Sequence, residues 1–270
     1  MAITVGIVES DTHCPYHCVE AVEIVTRVMA DLKPDLYLHL GDLGHIAGLH
    51  KANRGRPTKR SQAPVIKDIE SMAGYLDMRS APKRKVWLLG NHDSYFSKWL
   101  WSNPEWMGDD MADLTKRLQT SRRGFEVYPV NMQPIKIGSL RFKHMSPTNM
   151  YHARKVCDES NESTLYGHVH DIQSFTSKKH DPHQRHISYC NGHLSYEHLM
   201  DYLDGRPTNW YLGFSVVYIN EKTGRFNVLP VAIVPPNPGK RQSYFSAIFN
   251  GKEYTVKATK QYMSFWRARG

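Results

Sequence analysis

An α/β fold with a β-rich second half is predicted by three observations. Residues 3–89 alternate short apolar runs with segments of helical apolar spacing. The polar residues fit for chemistry stand at the ends of those runs. Beyond about residue 125 helical spacing gives way to short strand-like runs.

Ile3 to Val8 is apolar and bounded by polar residues, as in a strand buried on both faces. Val19 to Leu32 has helical spacing and stops before Lys33-Pro34. Leu36 to Leu40 is a second buried strand, ending in Gly41-Asp42. A basic loop follows, then a helix over Ala63 to Leu76. Val86 to Leu89 is a third strand, ending in Gly90-Asn91-His92-Asp93. That order implies right-handed crossovers and a parallel sheet covered by helices. In the second half, Ile135 to Phe142 reads as a hairpin around Gly138-Ser139. Leu165-Tyr166, Ile187 to Cys190, Phe214 to Ile219 and Phe226 to Val234 read as further strands, a second sheet packed on the first. Pro235-Pro236-Asn237-Pro238-Gly239 marks a boundary. The division expected is a main domain over residues 1–238, with a hairpin (Tyr244 to Val256) and basic-aromatic tail over 239–270 packed on it.

With 270 residues the chain can bury a sizeable core without a metal staple. Its 40% hydrophobic and 23% charged residues are ordinary for a soluble globular protein. It has no apolar run near the roughly 18 residues of a membrane span. The N-terminus reads as a strand rather than a signal peptide. Four cysteines at positions 14, 18, 157 and 190 do not form a secreted disulfide pattern, so a cytoplasmic protein with reduced thiols is expected. The net charge of +9 suits an acidic partner such as nucleic acid, and suits a merely basic surface equally well.

In open α/β sheets, sites form beyond the carboxyl ends of the strands. Asp11 and His13 follow the first strand, Asp42 the second, and Asn91, His92 and Asp93 the third. His144 and Gly167-His168-Val169-His170 follow later strands. Carboxylate, amide oxygen and imidazole suit divalent manganese, iron, zinc or magnesium, and suit copper(I) poorly. The ordered segments Asp11-Thr12-His13, Gly41-Asp42, Gly90-Asn91-His92-Asp93, His144 and Gly167-His168-Val169-His170 resemble the calcineurin-like metallophosphoesterase superfamily.

By that resemblance the fold is a four-layer α/β/β/α metallophosphoesterase sandwich. The resemblance implies two divalent metal ions, manganese first among zinc, iron, magnesium and nickel. Asp11, His13 and His170 would hold one, Asn91, His144 and His168 the other, and Asp42 would bridge them. His92 would serve the leaving oxygen and Asp93 would orient His92. The second acid of the family's G-D-x-x-D is His45 here, which leaves open what holds His92.

Several features need a separate account. Cys14, His17 and Cys18 crowd beside His13, but no distant second pair completes a zinc site with them. His180 to His186 reads as a solvated loop, and His193 as a residue within reach of the pocket rim. His50 to Arg60 has five basic side chains and no acid; Arg54 and Arg56 are expected on phosphate oxygens. Tyr95 or Trp101 would offer a stacking surface, while Phe96, Trp99 and Leu100 pack as a helix face. These features favour a phosphodiesterase of nucleic acid or nucleotides, similar to the Mre11-like nuclease branch. The alternatives are a phosphomonoesterase, a small cyclic-nucleotide phosphodiesterase, or a silent scaffold that binds nucleic acid.

Overall fold

Ile7 and Val8 are neighbours in the first strand and both are fully buried. Ile7 sits in a cluster built with helices, whereas Val8 sits in another, built with a second sheet. Strand side chains alternate between faces, so a strand buried on both needs a layer on each side. The computed structural model, which describes residues 3–50, 65–203, 206–237 and 242–267, has four layers.

The first sheet has the order β11-β10-β1-β2-β3-β4. Its parallel part is β1 (Thr4–Glu9), β2 (Leu36–His39), β3 (Arg84–Leu88) and β4 (Phe125–Tyr128). The antiparallel strands β10 (Gly213–Ile219) and β11 (Phe226–Ala232) complete it. On its outer face lie α1 (Val19–Leu32), α2 (Val65–Asp77), α3 (Ser94–Trp101) and the short α4 (Leu114–Arg117). α1 buries Ala21, Val22, Ile24, Val25, Val28 and Met29, the stripe expected of its spacing. It ends where Lys33 turns left-handed, its N–H bonding Met29 O at 2.8 Å, and Pro34 has no N–H to continue the helix.

The second sheet has the order β5-β6-β7-β9-β8, from β5 (Ile135–Ile137), β6 (Leu140–Lys143), β7 (Thr164–Tyr166), β8 (Ser174–Thr176) and β9 (Ile187–Cys190). Leu140, Phe142 and Leu165 meet Val8, Leu38 and Val86 between the sheets. Each such side chain contributes about 1.5–3 kcal/mol by leaving water. α5 (His152–Ser160) covers the far side, Val156 packing with Tyr166 and Cys190. β6 and β7 run parallel, so they too deliver their carboxyl ends to one edge.

The closing hairpin, β12 (Tyr244–Phe249) and β13 (Lys252–Lys257), and α6 (Lys260–Arg267) bury Phe245, Ala247, Tyr254, Tyr262 and Met263 in the cluster that holds α1. The tail expected from its basic and aromatic residues is thus helical through Arg267. β4, α5 and β8 are not anticipated by sequence pattern. β4 and β8 are four and three residues long, too short for a period to register. α5 buries only His152, Ala153, Val156 and Cys157 on an otherwise charged helix. Among the described residues no helix is long and apolar enough to cross a membrane.

One buried charge cluster fixes the end of β1. Glu9 and Arg79 are both fully buried and pair at 2.8 Å. The Glu9 carboxylate also accepts from the hydroxyls of Tyr37 at 2.7 Å and Tyr75 at 2.8 Å. Arg79 donates onward to Thr26 at 3.0 Å. Burial alone would raise the Glu9 pKa; the Arg79 guanidinium outweighs it and holds the group below its ordinary 4.5. The sign follows: this stability is present above pH 4.5 and is lost as pH falls through the lower folded-state value. Arg79→Met is expected to cost about 3–5 kcal/mol in urea unfolding, because it strands a buried carboxylate. Adding Glu9→Leu should return much of that loss.

Candidate metal centre

The polar residues that follow β1, β2, β3, β6 and β7 meet at one edge of the sandwich. The chain must bend sharply there to turn side chains inward. Asp11, His13, Asp42, His168 and His170 are five of the ten described non-glycine residues with positive φ. Each such conformation costs on the order of 1–3 kcal/mol and concentrates at functional sites. Two glycines make room. Gly41 has φ of +120°, and a Cβ on it would lie 2.6 Å from His144 Nδ1. A Cβ on Gly90 would lie 2.1 Å from Asp42 Oδ1.

Of the four groups of potential ligand atoms among the described residues, two are Asp11–His13–His170 and Asp42–His144–His168, each within 4.8 Å. In the first, His170 Nε2 lies 3.1 Å from Asp11 Oδ1 and 3.2 Å from His13 Nε2. In the second, His144 Nε2 lies 3.3 Å from Asp42 Oδ2 and 3.1 Å from Asn91 Oδ1. The same Asp42 oxygen is 4.0 Å from His13 Nε2, so it stands between the groups. Ligands about 2.1 Å from an octahedral ion stand about 3 Å apart, which matches these spacings. Neither group contains a thiol, so the donors suit hard or borderline divalent ions.

Tautomers point the same way. The Nδ1 of His144 lies 3.0 Å from Leu40 O, a pure acceptor, so Nδ1 is the protonated nitrogen. Its Nε2 then faces two oxygens, a place for either a proton or a cation. Burial opposes charge on His144, yet Asp42 lifts its pKa to about 9. Beside it, burial and the His144 charge push His168 down to about 4. Burial also resists ionised Asp11, but His170 and His144 hold it at about 2. Asp42 is likewise held well below its ordinary value, mainly by His144 and His92 acting against burial. The acids are therefore charged and the buried His13 neutral, the states that bind metal, whereas His144 holds a proton that a bound cation would displace.

Beneath these residues, Gly41 N–H donates to His39 Nδ1 at 3.2 Å, which leaves the His39 proton on Nε2, 3.2 Å from Thr12 Oγ1. Thr12 passes its own proton to Leu43 O at 3.1 Å. The loops after β1 and β2 are thus tied together by a neutral, fully buried histidine. Asp11 is fixed further by the His168 N–H at 3.0 Å.

His92 lies at the centre's open side. Its Nδ1 is 2.7 Å from His45 O, so Nε2 is the nitrogen left for a reacting group. The His45 ring stacks on His92 at 5.1 Å, and His45 Nδ1 meets His13 Nδ1 at 3.4 Å. The residue that replaces the family's second acid therefore holds His92 through its main chain. Asp93, expected to orient His92, is engaged here by main-chain groups. Both its oxygens accept backbone N–H groups, from Gly90 at 2.8 Å, Gly44 at 3.0 Å and Leu43 at 3.4 Å. Asp93 thereby staples the β3 loop to the β2 loop. Burial, then the nearby Asp42 charge, raises it to about 7.

The remaining candidates separate clearly. Cys14 and Cys18 are fully buried in the helix-side core, and burial pushes the Cys14 thiol up to about 12. Neither is in any ligand group among the described residues. Nor is any residue of 180–186, where His180 and His183 are exposed. Arg54 and Arg56 lie outside the described residues. Phe96 is buried, Tyr95 and Trp99 are half-buried, and Trp101 is 69% exposed. Tyr95 packs against His92 at 4.9 Å. His193 is buried and stacks on His170 at 5.4 Å. Sequence reading passes over Trp210, whose ring meets His170 at 4.0 Å, and Tyr202, stacked on His45 at 6.1 Å. No motif marks them; only an aromatic surplus after residue 192 hints at a lining.

The profile of the calcineurin-like phosphoesterase family matches residues 7–212. Among solved structures, a predicted phosphoesterase from Streptococcus pneumoniae TIGR4 is 16% identical, with 95% of this chain and 99% of that one covered at a TM-score of 0.35. Yfce, a phosphoesterase from E. coli, is 14% identical over 83% of this chain and 98% of its own, at 0.40. The Pseudomonas putida nuclease MPE is 12% identical over 83% and 87%, at 0.40. A search of curated proteins found no match.

Proposed function

We propose that this chain, which belongs to the calcineurin-like phosphoesterase family, is a two-metal hydrolase of phosphodiesters in nucleic acid or nucleotides. One observation carries the reading: the Asp42 carboxylate stands between two groups of ligand atoms spaced as metal ligands are. Asp11, His13 and His170 would hold one divalent ion and Asn91, His144 and His168 the other, with Asp42 placed to serve both. When bound, the ions supply Lewis acidity at the phosphate and lower the pKa of water. Manganese, the ion suggested by the family resemblance, is taken first, ahead of zinc, iron, magnesium and nickel.

The chain's own part is to bind, orient and move a proton. His92, with Nδ1 committed to His45 O, carries a proton on Nε2 to the leaving oxygen. Asp93 sets the β3 loop on which Asn91 and His92 ride. Arg54 and Arg56 contact non-bridging phosphate oxygens. The charge of +9, the basic segment 50–60 and the exposed Trp101 at the end of α3 support an extended polyanionic substrate. Four buried, free cysteines support a reducing cytoplasm.

The test is purified protein with Mn²⁺, Zn²⁺ or Mg²⁺ on bis-p-nitrophenyl phosphate, p-nitrophenyl phosphate, and single- and double-stranded DNA. The expected result is metal-dependent turnover of the diester above the monoester, with cleavage of DNA. Preference for the monoester makes the protein a phosphatase instead. DNA binding that falls steeply with salt, without turnover of any ester, makes it a scaffold.

A further inference from the structure

Behind the His170 side of the centre lies a cavity of about 220 Å³. That is below the roughly 300–1,000 Å³ of sites for drug-sized ligands, and suits one planar ring system. Its walls include His193, Tyr196, Trp210, Tyr211, Tyr262 and Trp266, so it is largely aromatic. The lining is not merely apolar. Ser195 and Glu197 also face it. Ser195 N–H reaches His193 Nδ1 at 3.3 Å, which leaves the His193 proton on Nε2. Aromatic faces with a few donors and a carboxylate are what a heteroaromatic base recognises.

The cavity is coupled to the centre by a single layer of rings. Trp210 and His193 line it and also touch His170, edge-on at 4.0 Å and stacked at 5.4 Å. The wall is fixed by backbone bonds: Tyr211 N to His170 O at 2.8 Å, and Gly213 N to His193 O at 3.0 Å. Asn209 adds a bond to Asp171 at 2.9 Å, and His152 holds Asp171 from behind at 3.0 Å.

The geometry points to a nucleobase site: this cavity takes the base of a nucleotide that flanks the cleaved phosphate. The link to cleavage rests on the phosphodiesterase reading; binding of the base does not. The test is a titration of the Mn²⁺-loaded full chain with adenosine, guanosine, cytidine and thymidine, followed by tryptophan fluorescence, with ribose and inorganic phosphate as controls. At least one nucleoside should quench saturably, and ribose and phosphate should not. Tyr211 is 42% exposed, so Tyr211→Ala should fold; it should weaken nucleoside binding about tenfold, as expected for a lost stacking face. In the same variant, kcat/KM for thymidine 5′-p-nitrophenyl phosphate relative to methyl p-nitrophenyl phosphate should fall about tenfold. Quenching by ribose as strong as by nucleosides, or undiminished affinity in folded Tyr211→Ala, overturns the base site. Base-selective quenching in a protein that cleaves nothing upholds the base site and removes the hydrolase reading alone.

Discussion

Asp42→Asn is expected to release both metals and to lower diester turnover about a thousandfold or more. Loss of Lewis-acid stabilisation is worth several kcal/mol, and each 1.36 kcal/mol is about tenfold in rate. The argument is electrostatic. Asp42 Oδ2 faces His144 Nε2 at 3.3 Å and His13 Nε2 at 4.0 Å, while Oδ1 accepts the His92 N–H at 2.8 Å. It is thus the anion common to both groups. An asparagine keeps the shape and removes the charge, and whichever oxygen position its amide takes becomes a donor. Metal analysis by mass spectrometry and a thermal melt on the same sample separate metal loss from unfolding. A folded Asp42→Asn protein that retains two ions contradicts the shared role.

His92→Ala should behave oppositely, keeping both metals while turnover falls about 10²–10⁴-fold, the usual range for a lost proton donor. The His92 ring meets His13 edge-on at 4.7 Å, and His13, His45 and His92 form a further cluster of potential ligand atoms. The His92 Nδ1 is spent on His45 O at 2.7 Å, as that of His144 is on Leu40 O at 3.0 Å, so metal retention in the variant is what separates proton transfer from ligation. The loss should be smaller for substrates with acidic leaving groups such as p-nitrophenol, which need no proton, than for DNA. Equal losses on both substrates, or metal stripped by the substitution, would remove His92 from that role.

What the sequence makes legible here depends on distance along the chain. Asp11, His13, Asp42, Asn91, His144, His168 and His170 each stand within a few residues of a strand end, so an apolar run followed by a polar motif marks them. The two-sided burial of β1 is equally visible, since Ile7 and Val8 both have to be apolar. Other features arise only when separate segments meet. Arg79 is one basic residue among many until Glu9, Tyr37 and Tyr75 close round it. His45 acts through a carbonyl, which no side-chain pattern can reveal. Asp93 next to His92 suggests a carboxylate–imidazole pair, but the tight β3 loop turns it onto three amides. Trp210 and Tyr202 carry no spacing signal and depend on the path of the 193–212 segment.

The most direct test of the two-metal claim is to titrate chelator-stripped protein with Mn²⁺ while following bis-p-nitrophenyl phosphate hydrolysis. Activity should be absent without metal and reach its plateau at two equivalents per chain. A plateau at one equivalent, or hydrolysis undiminished in the stripped protein, would contradict the account.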